Sequence, residues 1–133
     1  MELASDRVDA VRKKTIDLIV NIIKKQNKDW VDANLIPQIS KLKDNKSYLL
    51  RQNTILIIEK TYNKVSDSTL NNVYRPIMSS LVNDKVANLR ALALNALKEN
   101  HGIIDKQIEV ALSNLRDEKD IEVRSQLKTL TGK

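Results

Sequence analysis

The chain has 133 residues, enough for one domain with a modest core. It contains no cysteine, which excludes disulfides, thiolate metal sites and a cysteine nucleophile. Its formal charge of +6 makes nucleic acid or an acidic partner conceivable, but bases such as Lys13, Lys24, Lys60, Lys98 and Lys128 accompany acids throughout, as on a solvated helical surface.

Two glycines, two prolines and no phenylalanine, in a chain rich in Leu, Ile and Lys, predict an all-α fold. In chain order the periodicity predicts helices over 8–26, 30–43, 47–65, 67–82, 87–100, 105–115 and 120–130. The first carries Val11, Leu18, Ile19, Ile22 and Ile23 on one face. The second starts at Trp30 with Asp29 as N-cap, has Lys41 and Lys43 near its negative end, and contains Pro37. Leu50, Ile57, Ile58, Thr61 and Val65 form the stripe of the third, and Pro76 lies within the fourth. The fifth aligns Leu89, Leu92, Ala93, Ala96 and Leu97, and ends at His101. No apolar run reaches the roughly 18 residues that span a bilayer, and "MELASDRVDAVRKK" lacks a signal-peptide core, so a cytoplasmic or nuclear location is expected.

Aligning on arginine exposes an internal repeat. "DRVDAVR" ends at Arg12, "DNKSYLLR" at Arg51, "DKVANLR" at Arg90 and "DEKDIEVR" at Arg124, spaced 39, 39 and 34 residues apart. Leucine stands nine residues before each, at Leu3, Leu42, Leu81 and Leu115. An acid lies six or seven before, at Asp6, Asp44, Asp84 and Asp117, and Pro37 and Pro76 each precede their arginine by 14. Each period holds two helices, and neither can bury its stripe alone, so the units must stack. The expected architecture is a right-handed α-solenoid of about three and a half HEAT repeats, with units near 1–28, 29–65, 66–102 and 103–133. The two prolines bend the leading helices of their units at the same place. The first unit has only a stump of its leading helix, which predicts a fragment of a longer array.

At this point the residues resemble a known family. "DRVDAVR", "KDWVDANLIPQI", "DNKSYLLR", "NDKVANLRALALNAL" and "LRDEKDIEVR" follow one another as in the last repeats of the scaffold A subunit of protein phosphatase 2A, over about residues 3–130. The resemblance implies a non-enzymatic regulatory subunit, without cofactor or metal, whose turns between paired helices hold the phosphatase catalytic subunit. Interchangeable regulatory B-type subunits would bind through upstream repeats missing here. Carried onto this chain, the turns are Asp6–Arg12, Asp44–Arg51, Asp84–Arg90 and Asp117–Arg124. The partner-facing residues are then Arg12, Tyr48, Leu49, Val86, Ala87, Asn88, Arg90 and Ile121.

The recurrence of the acid and arginine columns argues against a catalytic pair, which would occur once. It predicts a ladder in which each guanidinium bridges acids or helix-end carbonyls of its own and adjacent turns. His101 reads as a helix-end residue, with no second histidine to complete a site. Trp30 reads as packing between repeats, Tyr62 and Tyr74 as core edge or groove. Phosphate-binding glycine loops, HExxH, GxSxG and the metallophosphatase signatures GDxHG and GNHE are missing, so no enzyme is expected. Two other protein-binding or charge-driven readings remain: a tubulin-binding array of the TOG type, disfavoured by the place of Trp30, and a basic nucleic-acid-associated HEAT domain, disfavoured by the interleaved charges.

Overall fold

The computed structural model describes residues 2–42 and 45–131, with side chains from residue 13 onward. Among these residues the fold is all-α and contains no strand. Helix α1 spans Glu2–Lys25, followed by α2 (Lys28–Asn34), α3 (Ile36–Leu42) and α4 (Tyr48–Thr61). Next, α5 (Asp67–Thr69) passes through a π-helical segment, Leu70–Tyr74, into α6 (Arg75–Leu81). Then come α7 (Ala87–Glu99), a short 3-10 turn at His101–Ile103, α8 (Lys106–Ser113) and α9 (Ile121–Thr131).

Both prolines interrupt their helices two residues upstream. Pro37 has no N–H for the Ala33 carbonyl, and the helix breaks at Leu35. Before Pro76 the strain is absorbed by the π-segment, where the Arg75 N–H reaches back five residues to the Leu70 carbonyl. The predicted helix 30–43 is therefore two short helices, and the predicted 67–82 is a single run with a wide turn.

Three side chains 39 residues apart cap the leading helices. Asn27 accepts the Trp30 N–H, Ser66 accepts the Thr69 N–H, and Asp105 accepts the Ile108 N–H. The N-cap of the second helix is thus Asn27. Asp29 lies inside the first turn instead, where its charge suits the positive end of the helix.

The trailing helices pack in series, α1 against α4, α4 against α7 and α7 against α9, while α6 packs on α8. The core between them is aliphatic, with Ile55, Ile58, Ile77, Met78, Leu94 and Leu97 at most 1% exposed. Tyr74 is fully buried and shares a 2.7 Å hydrogen bond with the Thr61 hydroxyl, so its ring belongs to the core proper.

Four expectations need correction. Residues 6–12 continue α1 without a turn, because nothing in "SDRVDAVRKK" breaks a helix. In α1 the buried stripe is Ile16, Val20 and Ile23, while Leu18 is 61% exposed on the opposite side. Leu50 is exposed rather than buried, since the stripe of α4 begins one position later with Arg51 and Thr54. Trp30 is 42% exposed in the first turn of α2 and does not fill a gap between units.

Candidate protein-docking turns

The turn before α4 and the turn before α7 are built to one pattern. Arg51 donates from Nε to Asp84 Oδ1 at 2.9 Å and from Nη2 to Asp84 Oδ2 at 3.3 Å. Its Nη1 donates to the Asn45 carbonyl at 2.7 Å and the Lys46 carbonyl at 3.2 Å. Thirty-nine residues on, Arg90 donates from Nε to Glu118 Oε1 at 2.7 Å and from Nη2 to Glu118 Oε2 at 2.9 Å, while Nη1 reaches the Asp84 carbonyl at 2.8 Å. Each planar fork therefore grips a carboxylate of the following turn with one edge and the backbone of its own turn with the other.

The residue six before each arginine is the hub of its turn. Its side-chain oxygen accepts the N–H two residues ahead: Asn45 from Ser47, Asp84 from Val86, and Glu118 from Asp120. At Asp84 and Glu118 the same carboxylate also takes the guanidinium of the preceding unit. The fourth acid of the ladder is thus Glu118, not Asp117, because the hub position is fixed at six residues before Arg124. Asp120 then caps α9 by accepting the Val123 N–H.

These rungs are well shielded. Side-chain exposure is 6% and 10% for Arg51 and Asp84, and 17% and 7% for Arg90 and Glu118. The hydrogen bonds from Arg90 hold the Glu118 carboxyl below its usual value, against the opposing effect of burial. The first expected rung cannot be placed: the Arg12 side chain, Lys43 and Asp44 lie outside the described residues.

A second set of cross-unit contacts ties the leading helices. The Asp32 carboxylate accepts from the Ser66 hydroxyl at 2.7 Å and from the Thr69 hydroxyl. Arg75 donates to the Ile103 carbonyl at 2.8 Å and the Gly102 carbonyl at 3.1 Å, with Asp105 3.8 Å away. Sequence reading missed this set, although the N-cap triplet at Asn27, Ser66 and Asp105 marks where it falls. His101 is exposed just past the end of α7, at the start of the short 3-10 turn.

The side chains left free are those at the first positions of α4, α7 and α9. Tyr48 is 45% exposed, Asn88 is exposed and Ile121 is 76% exposed. Leu49, Val86 and Ala87 are half-buried, and the latter two pack against the core. Arg90 is committed to Glu118 and Asp84. Leu50, not foreseen as part of this surface, joins Tyr48 at 36% exposure.

No protein-family model and no curated protein matches the chain. Among the described residues there is no group of acids and histidine able to hold a metal ion, and no helix long and apolar enough to cross a membrane.

Proposed function

We propose that the chain is a HEAT-type α-solenoid that works without catalysis, as a scaffold holding the catalytic subunit of a protein phosphatase 2A-type enzyme on its intra-repeat turns. The observation that carries the scaffold reading is the repeated rung, Arg51 to Asp84 and Arg90 to Glu118, at the period of the sequence repeat. Bidentate pairs of this kind fix the orientation of one unit on the next, which is what a surface presenting docking residues at regular intervals requires. The series of trailing helices, α1 to α4 to α7 to α9, supports stacking of units in chain order. The choice of phosphatase rests on the resemblance of the "DKVANLR" turn and the "KDW…IP" helix start.

In this reading Tyr48, Asn88 and Ile121 make first contact, with Leu49, Val86 and Ala87 at the edges of the same patches. Regulatory B-type subunits would engage repeats other than these. The test is retention of purified catalytic subunit by the immobilised chain, wild type beside the double variant Asn88→Ala, Ile121→Asp. The expected result is capture by the wild type and loss in the variant, with far-UV circular dichroism unchanged. Absence of capture by the wild type refutes the phosphatase assignment.

A further inference from the structure

A polar cleft of about 270 Å³ lies between the turn before α4 and the turn before α7. Asn45, Lys46 and Arg51 line it from the first turn, and Ser80, Asn83, Asp84 and Lys85 from the end of α6 and the second turn. Arg51, 5% exposed, holds the Asp84 carboxylate with one edge of its guanidinium, so these two charges cancel. Lys46 and Lys85 are exposed and enter no ion pair among the described residues. Two positive charges are therefore left on a cleft whose lining offers no free acid. Neutral donors accompany them. Asn45 uses its Oδ1 to accept the Ser47 N–H, which leaves its Nδ2 to donate, and Arg51 Nη2 donates once, to Asp84, and keeps a second N–H.

The repeat supplies an internal comparison. In the next pair of turns the cations are kept, as Lys85, Arg90 and Lys119, but Asp84 stands in the place of Asn45 and Asp117 in that of Asn83. There the three cations meet three acids, Asp84, Asp117 and Glu118; in the cleft they meet Asp84 alone. Asn45 keeps the hub hydrogen bond of its position and lacks only the charge, so the fold of the turn does not demand an amide. Asn83 has a structural use as well, donating to the Ala111 carbonyl at 3.1 Å. A cleft cleared of free carboxylates between two unpaired lysines suits an anion of matching charge. A phosphate monoester brings about two negative charges at neutral pH and three acceptor oxygens. A carboxylate brings one charge, and so does each phosphodiester of a nucleic acid.

We propose that this cleft binds the phosphoryl group of a phosphorylated serine or threonine on a partner protein, with Lys46 and Lys85 pairing its charge and Asn45 Nδ2 donating to it. A protein source is favoured because Tyr48 and Asn88, exposed two and three residues beyond the two lysines, offer contact to the residues that flank a phosphorylated side chain. The site needs the Arg51–Asp84 rung and does not depend on a phosphatase being the scaffold's cargo.

The test is a titration of the isotope-labelled full chain followed by amide NMR correlation spectra. The probe is an end-capped peptide of glycine and alanine with one central phosphoserine; its counterparts carry serine or glutamate there. The phosphopeptide shifts the amide signals around Lys46 and Lys85 saturably, the serine peptide leaves them in place, and the glutamate peptide binds at least about fivefold more weakly. Added salt weakens the complex. Lys46→Ala and Lys85→Ala each weaken it by about fivefold. Asn45→Asp, which installs the carboxylate of the next turn, weakens it comparably while keeping the hub. Lys119→Ala, at the matching position of the last turn, leaves it unaltered. The spectrum of each variant reports its fold, and both lysines are exposed enough to be replaced without unfolding it. An equal response to the three peptides, no response to any, or unchanged affinity when both lysines are replaced overturns the proposal and leaves the cleft a solvated gap between turns. Inorganic phosphate that displaces the peptide at equal concentration overturns it in favour of free phosphate, and a short single-stranded DNA that does so overturns it in favour of nucleic acid.

Discussion

Replacing Arg51 by alanine tests the ladder at its most shielded rung. The substitution takes both side-chain hydrogen bonds from Asp84, which is 10% exposed, and leaves the Asn45 and Lys46 carbonyls without their guanidinium donor. Stranding one partner of a fully buried pair costs roughly 3–5 kcal/mol. Asp84 retains the Val86 N–H at 2.8 Å and sits near enough to solvent to rehydrate in part. These features bring the expected loss to about 3 kcal/mol, a large share of the roughly 5–15 kcal/mol that holds a domain together. With a urea slope of about 2 kcal/mol per molar, the midpoint falls by about 1.5 M. Urea unfolding followed at 222 nm reads this directly, and a cycle with Asp84→Asn isolates the pair. Arg51→Met with Asp84→Asn should recover much of the loss, because it removes the unpaired charge. A loss under about 0.5 kcal/mol, the range of an ordinary surface change, refutes the claim that the rung couples the units.

The second rung carries a pH signature. Glu118 has its folded pKa lowered below 4.5, so its pairing contributes fully above the unfolded value and is lost as pH falls through the folded one. Glu118→Gln should flatten stability below pH 4.5 relative to wild type in urea titrations at stepped pH, and a parallel acid limb in both proteins would contradict this. Tyr74 behaves in the opposite sense: burial pushes its phenol up to about 12 from 10.0. Its contribution is full below pH 10 and lost as pH rises toward 12, visible as a late phenolate absorbance step that Tyr74→Phe removes. That variant should lose about 1 kcal/mol, since Thr61 keeps its bond to the Ile57 carbonyl.

Helix content and the rungs were legible in the sequence for one physical reason: both are set by residues at a fixed period. Arg51 and Arg90 recur with their carboxylates, and a fork with five donors needs acceptors on both edges wherever it is shielded. The acid of the last turn was misplaced because Asp117 and Glu118 are adjacent and only the backbone register chooses between them. Burial was less legible. Leu18 and Leu50 are exposed because a helix contacted on one side buries a narrower arc than its aliphatic content permits. The helix over residues 6–12 could not be foreseen from the repeat, which imposed a turn where local propensity favours continuation. The contacts of Asp32 and Arg75 were invisible because they join hydroxyls and carbonyls, groups that leave no charge pattern.

On the proposed scaffold reading, the rungs and the docking residues are parts of one device. In the turns before α4 and α7 the arginine is shielded and paired, while the residues two and three before it, Tyr48 and Leu49, Ala87 and Asn88, open the following helix, as Ile121 opens α9. Arg90 fixes how the helix start carrying Asn88 stands relative to the one carrying Ile121, because it holds the Asp84 carbonyl and the Glu118 carboxylate at once. With its fork committed and 17% of its side chain exposed, the role this reading leaves to Arg90 is positional. Arg90→Ala should weaken capture of the catalytic subunit by reorienting Ile121. The paired substitution Arg90→Met, Glu118→Leu replaces the ion pair by apolar contact at similar volume and should restore most of it. If the partner instead touches the guanidinium itself, the paired variant binds no better than Arg90→Ala, and Arg90 belongs among the contacts rather than beneath them.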